Sequence, residues 1–353
     1  MARYADDLTT SDPFLQLPGF APLSRLYLKV EGLNVAGSIK LKTAKALVAS
    51  AEWAHGPLAG RHLVESSSGN LGVALASICA SRGYPFTCVA DPNSNEGALA
   101  TIRAFGGFVD IVTERDANGG YLGTRLARIS SILDTDPSSL WLNQYANPAN
   151  PRVHEELTAR EICDRFSRLD YLFVGVGTGG TMMGCARGLR RKFPRVRIVA
   201  VDAAGSVTFG RPPATRRIPG LGASRKPENV DPSVPDDIIH VPEWSAISEC
   251  RRLARATGLL AGGSTGSVLA ALRQYAPRMS GSEVVIAISP DGGQPYLKSV
   301  YDDDWVTRHS LWTAAGPPVE SLAGPPVESL AGSPVESLAG DQGAGEQLEG
   351  GVR

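Results

Sequence analysis

The chain has 353 residues, of which 42% are hydrophobic and 20% charged, with a formal net charge of -1; this is the make-up of a soluble globular protein long enough for one large or two ordinary domains. So even a balance offers no field for nucleic acid or a membrane surface, no apolar run reaches the length of a membrane span, and Met1 to Asp7 lacks the apolar core of a signal peptide, so a cytoplasmic protein is expected. The five cysteines, an odd number with no Cys-x-x-Cys pair, read as small buried residues of a reducing compartment, and the five histidines show no metal-ligand spacing, so no metal is expected.

Residues 1 to about 19 read as an irregular arm, limited by Pro13 and Pro18. Ser24 to Val30 alternates as a strand. A small polar turn, Asn34 to Lys40, then leads into a helix running to about Trp53, with Ser38 as its N-cap. A strand at Arg61 to Glu65 enters the loop Ser66-Ser67-Ser68-Gly69-Asn70, which opens a helix from Leu71 to Ser81. Phe86 to Ala90 and Phe108 to Thr113 are strands, and Glu96 to Phe105 and Tyr121 to Leu133 are helices. Residues 146–151 are a turn-rich segment suited to bridging two lobes, and Val153 to Arg165 is helical. Tyr171 to Val174 is a strand entering the loop Gly175 to Thr181, whose helix runs to about Lys192 with Arg187, Arg190, Arg191 and Lys192 near its C-terminal end. Val196 to Val201 is a buried strand, residues 205–235 are a long Gly-, Pro- and Arg-rich loop, and Ile238 to Val241 is a strand. Helices at Trp244 to Thr257 and Ser264 to Tyr275 and a last buried strand, Glu283 to Ser289, complete an alternation that argues for βαβ units and parallel sheet covered by helices. From 316 to 340 an eight-residue repeat carries a Pro and a Gly per unit, too little apolar surface for a core, so residues 313–353 are expected to be disordered.

Lys40 stands just inside a helix start, near the positive end of the helix dipole. That position disfavours an ammonium and favours a neutral, nucleophilic amine able to form a Schiff base with an aldehyde. Taken alone it is an ordinary surface lysine. Three further segments change its meaning: Ser66 to Asn70, Gly175 to Thr181, and Gly262-Gly263-Ser264-Thr265-Gly266. In this order and spacing, from about Phe20 to about Trp305, the four motifs resemble the fold-type II enzymes that use pyridoxal 5′-phosphate, and within them the cysteine synthase and cystathionine β-synthase family. Ser66 to Leu75, Ile218 to Arg225 and Tyr296 to Trp305 are similar to the branch that makes N-(2-amino-2-carboxyethyl)-L-glutamate on the way to 2,3-diaminopropionate, in siderophore and peptide-antibiotic pathways.

The resemblance implies an α/β fold of two lobes, each with a mostly parallel sheet flanked by helices: residues 41–148 as a smaller mobile lobe, 1–40 with 149–312 as the larger. It implies a homodimer and a β-replacement on O-phospho-L-serine with L-glutamate as the amine nucleophile. Lys40 would hold the cofactor aldehyde, Asn70 its phenolic oxygen and Ser264 its pyridine nitrogen. The loop Gly177, Thr178, Gly179, Gly180 and Thr181 would cradle the phosphate, as glycines and a helix start allow. Ser66, Ser67, Ser68 and Gln144 would bind the substrate carboxylate. Blander readings stand beside these: Asn70 as a turn residue, Ser264 as a helix cap, and Gly175 to Gly180 with Asp202 as a dinucleotide fingerprint, in which Lys40 has no place. Two departures from the family pattern matter. Leu71 stands where Thr is usual, and Leu41-Lys42 where Asp-Arg usually follows the lysine. Arg152, Arg216, Arg217 and Arg225 are candidates for the anionic substrate groups, each also readable as a solvated surface residue, with Arg225 the first choice. The alternative activity is cysteine synthesis from O-acetyl- or O-phosphoserine and sulfide. Cystathionine β-synthase or a serine or threonine dehydratase is more distant, and the non-enzyme alternative is a scaffold that binds a partner through its tail.

Overall fold

The computed structural model describes residues 4–7, 13–22, 25–117 and 119–312. Its strands are β1 (Phe14–Gln16), β2 (Arg25–Val30), β3 (His62–Ser66), β4 (Phe86–Ala90), β5 (Phe108–Ile111), β6 (Ser139–Trp141), β7 (Tyr171–Gly175), β8 (Arg197–Ala203), β9 (Asp237–Val241) and β10 (Val284–Ser289). The α-helices are α1 (Lys40–His55), α2 (Asn70–Arg82), α3 (Glu96–Ala104), α4 (Leu122–Thr135), α5 (Ala149–Val153), α6 (Ala159–Arg165), α7 (Gly180–Lys192), α8 (Glu243–Thr257), α9 (Gly263–Tyr275) and α10 (Asp303–Arg308). They build two sheets: a six-stranded one in the order β1-β2-β10-β7-β8-β9, and a four-stranded one in the order β5-β4-β3-β6. Every pairing is parallel except β1 with β2.

The pleat of each strand sends neighbouring side chains to opposite faces, and the six-stranded sheet uses both. Phe173, Val199, Val285 and Ala287 face a core shared with Val268 and Leu272 of α9 and Leu253 of α8. Leu172, Val174, Ile198 and Ile286 face a second core with Met182 and Leu189 of α7 and Ile162 of α6. Helices on both faces explain why β10 is buried at every position and reads as an unbroken apolar run. In the four-stranded sheet, Leu63 and Cys88 pack against Leu47, Leu75 and Ile78 of α1 and α2, while Val64 and Val89 turn to Ile129 of α4.

Several elements differ from expectation. The N-terminal arm contributes β1, and β6 and α10 were not anticipated; β1 and β6 have three residues each, too few to display a period. The turn-rich segment at 146–151 is half helical, because α5 starts at Ala149 with Pro151 in its first turn, where a missing N–H costs little. From there the helix continues through a π turn, His154–Thr158, into α6. Helix α1 begins at Lys40 itself, with Ile39 in the cap position. The Ser38 hydroxyl still accepts the Lys40 N–H, at 3.3 Å. Residues 205–235 hold no helix or strand. The repeat, and the disorder expected of residues 313–353, lie outside the described residues. Met1–Leu311 form one compact unit. Among the described residues no helix is long and apolar enough to cross a membrane.

Candidate active site

The carboxyl ends of β3, β7 and β10 and the first turn of α1 open onto one cleft of about 420 Å³, in the place where open α/β sheets hold ligands. Lys40, Asn70, Gly177, Thr178 and Ser264 line it, brought together from four separate stretches. Burial lowers the Lys40 amine to about 8, against the opposing pull of Glu65 and Asp291. What exposure Lys40 keeps opens into the cleft. A depressed lysine follows from the sequence, but the cause found here is burial, where the dipole of α1 was expected to act.

At the start of α7, Gly177 and Thr178 line the cleft, while Gly179, Gly180 and Thr181 stand outside its lining. Gly179 has φ +85°, the left-handed region where side chains are strained, and a Cβ there would sit 2.4 Å from Val230. A Cβ on Gly180 would lie 2.0 Å from Asn150 Oδ1. Asn150 cannot retreat freely: it is fully buried, and its Nδ2 donates to Gln144 O (2.7 Å) and Thr178 Oγ1 (3.1 Å). Thr181 sits behind the loop with its hydroxyl 3.4 Å from His154 Nε2. No acidic residue occupies the first turn of this 13-residue helix, so its N-terminus favours an anion.

Asn70 is the first residue of α2, and its Nδ2 donates to Asp291 Oδ2 at 2.7 Å. Ser67, Ser68 and Gln144 line the cleft. Ser66 lies behind the lining, fully buried, with its carbonyl accepting Gln144 Nε2 at 2.7 Å and its hydroxyl 3.2 Å from Tyr145 OH. Glu65 fixes this loop from below by accepting Ser66 N–H (2.7 Å), Gln144 N–H (3.0 Å) and Trp141 Nε1–H (3.1 Å). Burial pushes its carboxyl up to about 7. The two departures from the family pattern also have places. Leu41 and Leu71 pack in the core beside the four-stranded sheet. Lys42 joins a network in which fully buried Lys29 lies 2.6 Å from Glu31 and 2.5 Å from Glu161, and Lys42 itself bonds both acids.

The arginines fall differently from expectation. Arg225 lies outside the cleft lining, more than half exposed and paired with Glu228 three residues on. Its neighbour Ser224 takes the place in the lining, so one step along an irregular loop turns Arg225 away. Arg152 is exposed on α5 and also lies outside the lining. Arg216 and Arg217 do line the cleft, and so do Arg115 and Arg125, which sequence reasoning missed. Arg125 is 9% exposed; its Nε lies 3.4 Å from Asp91, and neither Nε nor Nη1 makes a hydrogen bond among the described residues. A readable signal existed: Arg125 shares the buried stripe of α4 with Leu122 and Ile129, and an arginine on an apolar stripe is rarely buried without a partner. Asp291 and Tyr296 were missed as well, although Asp291 follows buried β10 at its carboxyl end.

The donor set fits pyridoxal phosphate. Gly177 and Thr178 line the cleft just ahead of a helix start whose Gly179 and Gly180 have no room for a Cβ, a lysine amine of lowered basicity lines the same cleft, and buried Asp291 Oδ1 has no partner among the described residues. Among those residues no cluster of His, Cys, Asp or Glu could hold a metal.

The family model described as pyridoxal-phosphate dependent enzyme matches residues 6–291. The N-(2-amino-2-carboxyethyl)-L-glutamate synthase of Ralstonia nicotianae is 43% identical over 295 residues, which cover 83% of this chain and 87% of the relative. The synthase of the same name from Cupriavidus metallidurans is 42% identical over 291 residues, covering 81% and 85%. Among solved structures, a lysine-to-alanine mutant of O-ureido-L-serine synthase with O-ureido-L-serine bound superposes with a TM-score of 0.80 at 31% identity, covering 88% of this chain and 99% of its own.

Proposed function

We propose that this chain, which belongs to the pyridoxal-phosphate dependent enzyme family, catalyses β-replacement on O-phospho-L-serine with L-glutamate as the amine nucleophile. The products are N-(2-amino-2-carboxyethyl)-L-glutamate and phosphate. The observation that carries the reading is the likeness to two synthases of that name at 42% and 43% identity over more than four-fifths of the chain. It is joined to a cleft holding a lysine of lowered basicity and a set of arginines. When bound, pyridoxal 5′-phosphate supplies an aldehyde that condenses with amines and a ring that draws electrons from the substrate Cα.

On this reading Lys40 holds the cofactor covalently, Asn70 and Ser264 meet its ring, and residues Gly177 to Thr181 hold its phosphate by backbone N–H groups. Ser67, Ser68 and Gln144 receive the substrate carboxylate, and Ser66 shapes their loop. Lys40 Nζ takes the Cα proton and later returns one. Its basicity, lowered to about 8, leaves a useful neutral fraction near neutral pH. The leaving phosphate and the two carboxylates of glutamate call for cations that a sulfide nucleophile would not need. Arg125, buried with unused N–H groups, suits the phosphate, and Arg216 and Arg217 suit the carboxylates. The same reading takes 41–148, which contains the whole four-stranded sheet, as a mobile substrate lobe. It takes the functional unit as a cytoplasmic homodimer.

The test offers O-phosphoserine to the purified protein with glutamate, sulfide and homocysteine in competition, and identifies products by mass spectrometry. The glutamate adduct should dominate. Cysteine as the main product would make sulfide the nucleophile and the chain a cysteine synthase.

A further inference from the structure

Asp291 joins three of the four motifs that line the cleft. Its backbone bridges to Ser38 in the lysine turn, and Gly262 N–H donates to its carbonyl at 3.2 Å. The residue is 97% buried, and Oδ2 accepts both Asn70 Nδ2–H (2.7 Å) and Tyr296 OH (2.6 Å). Oδ1 is buried too, yet has no hydrogen-bond partner among the described residues. Leaving a carboxylate oxygen unbonded in a protein interior is costly, and such a group calls for a functional explanation. Gly262 is kept without a side chain at this point, since a Cβ would stand 2.1 Å from Oδ1.

Lys40 stands two residues beyond Ser38, which bridges to Asp291, and both Lys40 and Asp291 line the cleft. The other acid near Lys40 is Glu65, whose carboxylate already accepts three N–H groups. The two acids are therefore unequal: Glu65 is committed to holding a loop, and Asp291 retains an oxygen to spare. We infer that Asp291 is a positioning residue for the reaction: it aims the Asn70 amide into the cleft, and through Oδ1 it balances positive charge on Lys40 Nζ. The inference rests on the proposed cofactor reading. Its consequence is that the nitrogen of Lys40 carries a proton more readily than burial alone would permit, both while joined to the cofactor and after taking a proton from the substrate.

The remaining titratable groups around this pair stay out of the working range. Burial holds His154 neutral, raises Cys250 to about 12, and puts Tyr296 and Tyr301 far above neutrality. Glu65, pushed up to about 7, is the exception, so the titration is read above pH 8.

The test is a pH titration of the visible absorbance of the cofactor-loaded protein, comparing wild type with Asp291→Asn and Tyr296→Phe. Asparagine keeps the shape, and its carbonyl can accept from both Asn70 and Tyr296, so only the charge is lost. The spectral midpoint should fall by about 1 unit or more, the size of shift an adjacent opposite charge produces. kcat should fall while KM for the amino-acid substrates stays within about twofold, since on this inference Asp291 acts through Asn70 and Lys40. Tyr296→Phe keeps the charge and removes a donor that partly neutralises it, so its midpoint should rise; this variant carries the test if Asp291→Asn does not fold. An unmoved midpoint in Asp291→Asn, or a fall in Tyr296→Phe, overturns the role of Asp291 and leaves the cofactor reading intact. Absence of any visible band in the wild type overturns both.

Discussion

The glycine loop at the start of α7 and the arginines at the edge of the cleft both face anions on our reading, yet they are made in different ways. In the loop the donors are backbone N–H groups, and the fold leaves no choice of residue: Gly179 and Gly180 have no space for a Cβ. At the edge the donors are long side chains on α4 and on the irregular stretch at 205–235, aimed by whatever packs behind them. A surface made of backbone tolerates no substitution but declares itself in a motif. A surface made of side chains tolerates change and so can specialise for a substrate. On the proposed reading, the common chemistry and the particular substrate are encoded in separate layers of the same cleft.

Four perturbations sharpen that contrast. The largest effect is expected at Lys40, which on the proposed reading serves whatever substrate the edge admits. Lys40→Ala should lower turnover by at least ~10²–10⁴, the usual contribution of a positioned proton-transfer group, with any nucleophile offered. Steady-state rates with glutamate and with sulfide check it, and loss with only one of them would break the separation of layers. Next comes Arg125→Ala, which should reduce kcat/KM for O-phosphoserine by roughly ten- to a hundredfold, the worth of about 1.5–3 kcal/mol for a hydrogen bond to a charged group, while the cofactor spectrum stays as in wild type. Gly180→Ala should do the reverse. It forces Asn150 to move and costs about 1–3 kcal/mol of stability by overpacking, read as a lower melting temperature and weaker cofactor retention, with the ratio of glutamate to sulfide use unchanged. Arg225→Ala should change kcat/KM for either substrate by less than about twofold, because an exposed pair such as Arg225 with Glu228 contributes little; a tenfold loss would return Arg225 to the site.

A pH effect tests the support behind the loop. His154 is fully buried, with Thr43 Oγ1 3.1 Å from Nε2 and Thr158 Oγ1 3.0 Å from Nδ1. Burial holds it well below its ordinary value of 6.5. The unfolded chain therefore binds a proton below pH 6.5 that the native state refuses, and stability should fall as pH drops through that point, by at most about 1.4 kcal/mol per pH unit for one group. Urea unfolding at pH 7.5, 6.5 and 5.5 should show a shallower slope for His154→Gln than for wild type, and equal slopes would remove His154 from the account.

How much was legible obeys the same division. Strands β7, β8 and β10 and helices α2, α7 and α9 declare themselves because each runs five or more residues and is rich in buried positions. β1 and β6 are too short to show one. The start of α5 hides behind Asn-Pro-Ala-Asn-Pro, which spells a turn locally and is held helical by its continuation through the π turn into α6. Within the site, Lys40, Asn70, Gly177, Thr178 and Ser264 could be placed together because they sit in four short motifs whose order and spacing resemble one enzyme family. Which arginine faces the cleft could not, since Ser224 and Arg225 differ by one residue and point to different surroundings only because of contacts made far away in sequence, such as Ser224 Oγ with Asp116 Oδ2 at 3.1 Å. Asp291 was hidden for the same reason: its partner Asn70 lies 221 positions away.

The central claim is that one lysine, at the start of α1, carries the cofactor for whatever reaction the edge selects. Borohydride reduction of the cofactor-loaded protein, followed by proteolysis and mass spectrometry of the peptides, tests it most directly. The account predicts a single phosphopyridoxyl mark on the peptide containing Lys40; a mark on Lys42, Lys45 or another lysine with Lys40 unmodified, or no mark at all, would contradict it.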